Sequence, residues 1–173
     1  MSNPMQEILL GKVTANIGIG ATEEKLDNAK ALLKKLTGRN AAFTIAKKRF
    51  PEFGIKKGQI IGTVVTLRDE DAATFLKSAF DANNNTIVPG SIANSSVNFG
   101  IKEYIYFSGI KYDPKIGMLG LNVNASFYRK GARVEKRKRK RGKEGKKHKL
   151  ISNDEIKSYL EKNFGVKIAE KER

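Results

Sequence analysis

Leu121-Asn-Val-Asn-Ala-Ser-Phe127 decides the fold. Leu121, Val123, Ala125 and Phe127 alternate strictly with Asn122, Asn124 and Ser126. Successive strand residues point to opposite faces, so this segment reads as a strand with one apolar and one polar face. The pattern recurs upstream. Val13, Ala15 and Ile17 alternate with Lys12, Thr14 and Asn16, and Phe43 and Ile45 flank Thr44. Ile61, Thr63, Val65 and Leu67 share one face, with Val64 and Thr66 on the other. Ile101 to Phe107, aromatic and β-branched, predicts a further strand. Together these strands leave an apolar face that suits helices.

Three helices are legible. From about Glu23 to Leu36, Leu26, Ala29, Leu33 and Leu36 recur at helical spacing. Thr22 is the expected cap, Glu23 and Glu24 suit the positive end of the helix dipole, and Gly38 is the stop. From about Glu70 to Ala82, Ala72, Phe75, Leu76, Ala79 and Phe80 form one stripe behind Asp69, Glu70 and Asp71. The last helix starts with Ser152-Asn-Asp-Glu155, a capping-box pattern. Ile156, Tyr159, Leu160 and Phe164 form its apolar face and Gly165 ends it.

Charge is concentrated in one place. Arg129 to Lys149 holds thirteen Lys or Arg and two Glu, a net +11 of the chain's +16. So dense a run cannot be buried and calls for a polyanion, of which nucleic acid is the commonest in cells. A solvated basic tail is the plain alternative, but a helix follows the run, so the run interrupts folded structure. The rest of the chain, 21 basic against 16 acidic residues, has the balance of an ordinary folded domain. One domain over residues 1–173 is the expectation, with residues 129–149 as a basic insert and residues 49–58 as a projecting loop. The chain has no Cys, which removes disulfides and thiolate metal sites. MSNPMQEILLGKV lacks the pattern of a signal peptide, and no apolar segment approaches the ~18 residues of a membrane span. The expectation is a soluble intracellular protein.

The polar sheet face gathers Thr14, Asn16, Thr44, Thr66, Asn122, Asn124 and Ser126. Amides and hydroxyls both donate and accept hydrogen bonds and allow close approach to a sugar-phosphate backbone. A merely solvated face has similar composition. Paired outward Asn favour binding, because Asn is a poor strand former. Arg49-Phe-Pro-Glu-Phe-Gly-Ile-Lys-Lys-Gly58 joins two strand patterns and is too long for a tight hairpin. Asp81 to Asn98, with Asn83-Asn-Asn85 and Pro89-Gly-Ser91, is polar and reads as a mobile loop.

No catalytic pattern emerges. Gly18-Ile-Gly20 lies between strand and helix, but the third glycine of a dinucleotide fingerprint would fall at Glu23. His148, the single histidine, has no Cys or second His to build a nucleophilic or zinc site. Packing or a phosphate contact is its expected role. Asp69 to Asp71 is explained by the helix dipole. A nucleic-acid-processing enzyme would need a carboxylate cluster or an activated nucleophile, and neither is evident.

An ordered set of segments carries a family resemblance. Val13-Thr-Ala-Asn-Ile-Gly-Ile-Gly20, Leu26-Asp-Asn-Ala29, Ile45-Ala-Lys-Lys-Arg49, Phe53-Gly-Ile-Lys-Lys-Gly58, Ile61-Gly-Thr-Val-Val-Thr-Leu-Arg68, Asn98-Phe-Gly-Ile-Lys-Glu103 and Leu119-Gly-Leu-Asn-Val-Asn124 resemble the universal large-subunit ribosomal proteins of family five. The likeness runs from about Val13 to Ile168. The basic insert and Gly145-Lys-Lys-His-Lys-Leu-Ile-Ser152 resemble the archaeal and eukaryotic branch. The bacterial branch lacks that insert and has a helical N-terminal extension not matched here, so contacts made through that extension are not carried over.

The resemblance implies an α+β fold: an antiparallel sheet with helices on one face and RNA on the other. It implies a non-enzymatic component of the cytoplasmic ribosome, in translation, without cofactor, metal or membrane. Implied partners are 5S ribosomal RNA in the central protuberance, large-subunit ribosomal RNA, peptidyl-site tRNA, a small-subunit head protein and other 5S-associated large-subunit proteins. Carried over, the sheet contacts are Thr14, Asn16, Thr44, Thr66, Asn122 and Asn124, with Lys47, Lys48 and Arg49 at the loop base. Lys136, Arg137, Lys138, Arg139, Lys140 and Arg141 are the expected ribosomal RNA contacts of the insert. Phe50, Pro51, Phe53, Lys56 and Lys57 form the expected tRNA-side loop. The competing assignment is a free-standing RNA-binding or ribosome-assembly module.

Overall fold

The computed structural model describes residues 3–20, 24–93 and 95–169. Its strands are β1 (Ile8–Gly18), β2 (Ala42–Ile45), β3 (Ile60–Leu67), β4 (Thr86–Ile87), β5 (Ile92–Ala93), β6 (Ser96–Ile101), β7 (Leu121–Arg129) and β8 (Lys167–Ile168). Its helices are α1 (Glu24–Thr37), α2 (Asp69–Ala82), the single turns α3 (Arg133–Lys136) and α4 (Lys146–Lys149), and α5 (Asn153–Phe164). Six strands make one sheet in the order β2-β3-β1-β7-β6-β5, while β4 and β8 pair separately and in parallel. β2–β3 and β5–β6 are antiparallel. The class is α+β with a mostly antiparallel sheet, as the family resemblance implies.

The chain divides into two compact units: residues 1–13, 68–98 and 124–173, and residues 14–67 and 99–123. In the first unit, α2 buries Ala72, Phe75, Leu76, Ala79 and Phe80, the stripe read from sequence. Phe80 meets Phe164 edge-on at 5.5 Å, and Phe127 meets Tyr159 of α5 at 5.5 Å. Such aromatic pairs add roughly 0.5–1.5 kcal/mol beyond area burial. α5 has the expected capping box: Ser152 accepts from the Glu155 backbone N–H, and the Glu155 side chain accepts from that of Ser152. Gly165 closes the helix at φ 65°, the left-handed region that costs glycine nothing.

In the second unit, α1 buries Leu26, Ala29, Leu32 and Leu33, while Leu36 is half-buried. Thr22 and Glu23, the expected cap and first acidic residue, lie outside the described residues. On β3, Thr63, Val65 and Leu67 are buried and Thr66 is exposed. Gly62 is required by packing: a Cβ there would lie 2.4 Å from the Ile17 carbonyl oxygen. That separation is far inside van der Waals contact.

Two readings are corrected. The expected strand from Ile101 to Phe107 ends at Ile101, and Tyr104–Tyr106 forms a 3-10 turn. The reason is the buried Tyr104 ring, whose hydroxyl accepts from the Asp113 backbone N–H at 2.9 Å. A buried phenol needs such a partner, and the turn provides it. Asp81–Asn98, expected as a loop, contains β4, β5 and the start of β6. Asn84 and Asn85 adopt φ of 55° and 52°, a left-handed turn that Asn tolerates, and β4 follows directly.

Candidate nucleic-acid interface

On β1, β3 and β7 the outward residues fall where the alternation puts them, but on β2 Phe43 and Ile45, expected on the apolar face, are exposed while Thr44 is half-buried. Thr14 and Asn16 are half-buried between the fully or nearly fully buried Val13, Ala15 and Ile17. Thr44 lies opposite Gly62 in the β2–β3 register, and its hydroxyl is 3.1 Å from where a Gly62 Cβ would stand. Thr66 and Asn122 are exposed. These five residues belong to the second unit, whereas Asn124 and Ser126 belong to the first.

The first unit adds a residue that alternation in Ser96-Val-Asn-Phe99 would have revealed. Asn98 is exposed between buried Val97 and Phe99, and its side-chain oxygen accepts from the Asn124 amide. The Ser126 hydroxyl donates in turn to Asn124 Oδ1 at 3.3 Å. Placing Asn98 at the end of a polar loop hides its position on this face.

The basic segment is ordered by its own chemistry. Arg129 is held to Glu155 at 2.6 Å and Lys130 pairs with Glu7. Lys149 Nζ donates to both oxygens of Glu135, at 2.8 and 3.0 Å. Lys136 sits 4.9 Å from the Tyr128 ring centroid, a cation–π contact. Arg137 Nε donates to the Lys140 carbonyl and Arg141 Nε to the Glu135 carbonyl. Lys138, Arg139 and Lys140 are exposed. His148 Nε2 lies 2.9 Å from the Lys130 carbonyl oxygen and 3.5 Å from Glu144 Oε1, which gives it a packing role.

These pairs shift titrations. The Lys149 hydrogen bond, then its charge, holds the Glu135 carboxyl below its usual 4.5, with Arg141 and Lys136 adding to the effect. Burial pushes Glu155 up, but hydrogen bonds from Ser152 and Arg129 outweigh it and leave Glu155 lowered. Burial, with the Glu7 charge, raises Tyr159. Among the described residues, no three or more carboxylate or histidine side chains gather as a metal site requires.

Within the first unit, polar sheet face and basic segment share a cleft of about 970 Å³. Ser96, Asn124 and Ser126 line it together with Lys136, Lys146 and Lys149. Hydroxyls and an amide thus stand opposite cations, the combination that suits a ribose-phosphate chain.

The loop is built differently. Phe50 and Ile55 exchange backbone hydrogen bonds of 2.9 and 3.1 Å around a 3-10 turn at Pro51–Phe53. Gly54, at φ 64°, ends that turn. Gly58 N–H donates to the Ala46 carbonyl at 2.9 Å. Phe50 and Phe53 are 50% and 71% exposed, so the loop presents aromatic surface that its own unit does not cover. Lys47, Lys48, Arg49, Lys56 and Lys57 are exposed as well.

Amides and hydroxyls on a strand face beside a stapled basic segment, as the first unit carries them, are the features of a nucleic-acid-binding protein of structural type. Comparison with known proteins narrows the class. The family model described as Ribosomal protein L5 matches residues 3–56, and the model for the C-terminus of the same ribosomal family matches residues 60–158. The large ribosomal subunit protein uL5 of Picrophilus torridus is 45% identical over 168 residues, covering 96% of this chain and 95% of its own. Those of Pyrobaculum aerophilum and Nanoarchaeum equitans are each 43% identical, covering 96% and 97% of this chain and 93% and 99% of their own. The chain belongs to the ribosomal protein L5 family, in its archaeal form. It is therefore a structural, non-enzymatic protein of the large subunit of the cytoplasmic ribosome.

Proposed function

We propose that this protein binds 5S ribosomal RNA in the central protuberance, through its open sheet face and basic segment. Large-subunit ribosomal RNA and other 5S-associated proteins complete its surroundings. The loop from Arg49 to Gly58 faces peptidyl-site tRNA, and the protein meets a small-subunit head protein. The observation that carries the RNA-binding reading is the cleft lined by Asn124, Ser126, Lys136, Lys146 and Lys149. The choice of 5S RNA and of tRNA rests on the family resemblance. Duplex RNA hides its base edges in a deep major groove, so recognition is by shape, backbone and 2′-hydroxyl. Amides at fixed spacing and lysines at the rim suit that task.

Crosslinking to total cellular RNA, followed by sequencing of the bound fragments, tests the assignment. Fragments of 5S RNA should dominate, and enrichment of unrelated RNA would sink it. Asn124→Leu provides the finer test. It should lower the melting temperature by only a few degrees, because water can replace the Asn98 and Ser126 hydrogen bonds that it removes. It should weaken 5S binding about fivefold, the scale of one net hydrogen bond of ~1 kcal/mol. Normal binding by the variant would make the polar face merely solvated.

A further inference from the structure

The basic segment contains only two acidic residues, Glu135 and Glu144; Glu135 is hydrogen-bonded within the segment and Glu144 is turned inward beside His148. Glu144 has a side chain 8% exposed beside His148. Glu135 reaches across to Lys149, fourteen residues on, with both carboxylate oxygens engaged. Its own carbonyl accepts from Arg141 Nε at 2.6 Å, and the neighbouring Val134 carbonyl accepts from the Gly142 N–H at 3.2 Å. The chain from Glu135 to Lys149 is thus closed into a loop, and nine cations lie between those two residues. Left open, so many like charges would repel and extend the chain.

We propose that Glu135 is the positioning residue of the basic segment, closing it into a preformed cationic rim before RNA arrives. The inference rests on the RNA-binding reading above and adds to it how the cations are presented. Lys149, which lines the cleft, is one half of the closure, and Lys136, which also lines it, follows the other half directly in the chain. Without the closure, RNA would have to order the segment on binding, at a cost to affinity. The consequence runs against simple electrostatics. Removing a negative charge beside a polyanion should tighten binding, whereas opening the loop should weaken it.

The test uses the full chain and a 5S RNA transcript. Wild type, Glu135→Gln, and the charge swap Glu135→Lys with Lys149→Glu are compared by filter binding over a salt series and by amide hydrogen exchange. Thermal melting confirms that each variant is folded. Glu135→Gln should weaken binding about three- to tenfold, the scale of ordering one or two side chains. Its salt slope should stay the same, because no phosphate partner is lost. The Gly142 amide should exchange faster, and the charge swap, which removes the Lys149 cation from the cleft, should restore that protection without restoring full affinity. Equal or tighter binding by Glu135→Gln, or no restored protection of Gly142 in the swap, overturns the proposal. If wild type itself fails to bind 5S RNA, the functional reading falls, and exchange at Gly142 decides the closure alone: faster in Glu135→Gln supports it, unchanged refutes it.

Discussion

The basic segment and the Arg49–Gly58 loop are both cationic and irregular in sequence, yet they are ordered by opposite means. The segment is held by charged side chains: Arg129 to Glu155, Lys130 to Glu7 and Lys149 to Glu135. The loop is held by backbone, through the Phe50–Ile55 bridge, the left-handed Gly54 and the Gly58–Ala46 hydrogen bond. None of Lys47, Lys48, Arg49, Lys56 or Lys57 pairs with a carboxylate among the described residues. Charge therefore shapes one region and merely decorates the other. Salt and acid should reach the first and spare the second, because screening acts on ions and not on neutral amide hydrogen bonds.

Replacing Lys136 to Arg141 with Gly-Ser repeats should have the largest effect. If segment and loop together neutralise about six phosphates, wild-type log affinity falls against log salt with a slope of about −4 to −5. The replacement should flatten that slope by at least about two and cost roughly a hundredfold in affinity at low salt. A filter-binding salt series measures both. An unchanged slope would show that phosphate pairing lies elsewhere.

A smaller effect on 5S RNA is expected from the loop. Deleting Phe50 to Lys57 and joining Arg49 to Gly58 through Asn-Gly should keep the β2–β3 pairing, since a connection of about five residues between Ala46 and Gly58 still closes a hairpin. Binding to isolated 5S RNA should fall by ~1 kcal/mol or less, the scale of peripheral contacts. Occupancy of peptidyl-site tRNA on assembled ribosomes should drop instead. Loss of 5S binding with normal tRNA occupancy would reverse the roles given to the two regions.

The smallest effect is a pH response confined to one region. Glu135 and Glu155 both lie below the usual 4.5, the first chiefly through its Lys149 hydrogen bond, the second because hydrogen bonds outweigh burial. A lowered carboxylate contributes stability that is fully present above its ordinary value and is lost as pH falls through the folded value. Acidification from about pH 6 to about pH 3 should therefore loosen the basic segment first. Nitrogen–proton NMR spectra would follow Gly142 and His148 in the segment and Ile55 and Gly58 in the loop. Parallel shifts in both regions would mean that the contrast in their ordering is not real.

Much of this architecture is legible from residues alone. The stripes of α2 and α5, the Ser152–Glu155 capping box and the alternation of β7 depend on neighbours within a few positions, and local chemistry decides them. The outward direction of Asn16 and Asn124 follows from the same period of two. Tyr104 escapes such reading because its hydroxyl partner, the Asp113 N–H, lies nine residues away and is met only once the chain has turned. The outward direction of Asn98 is legible in Ser96-Val-Asn-Phe99 but hidden by the polar segment before it; only its bond to Asn124, 26 residues away, needs the paired strands.

The sequence by itself determined the alternation of β1, β3 and β7, the apolar stripes of the helices, the concentration of charge and, through ordered motifs, the family. Tertiary structure alone decided which cations of the basic segment are tied to a carboxylate. Glu135 and Glu144 read in sequence as two stray acids in a basic run. Folding turns one toward Lys149 and the other toward His148. Composition counts charges, but a salt bridge depends on distance and orientation, and those exist only after the chain has closed.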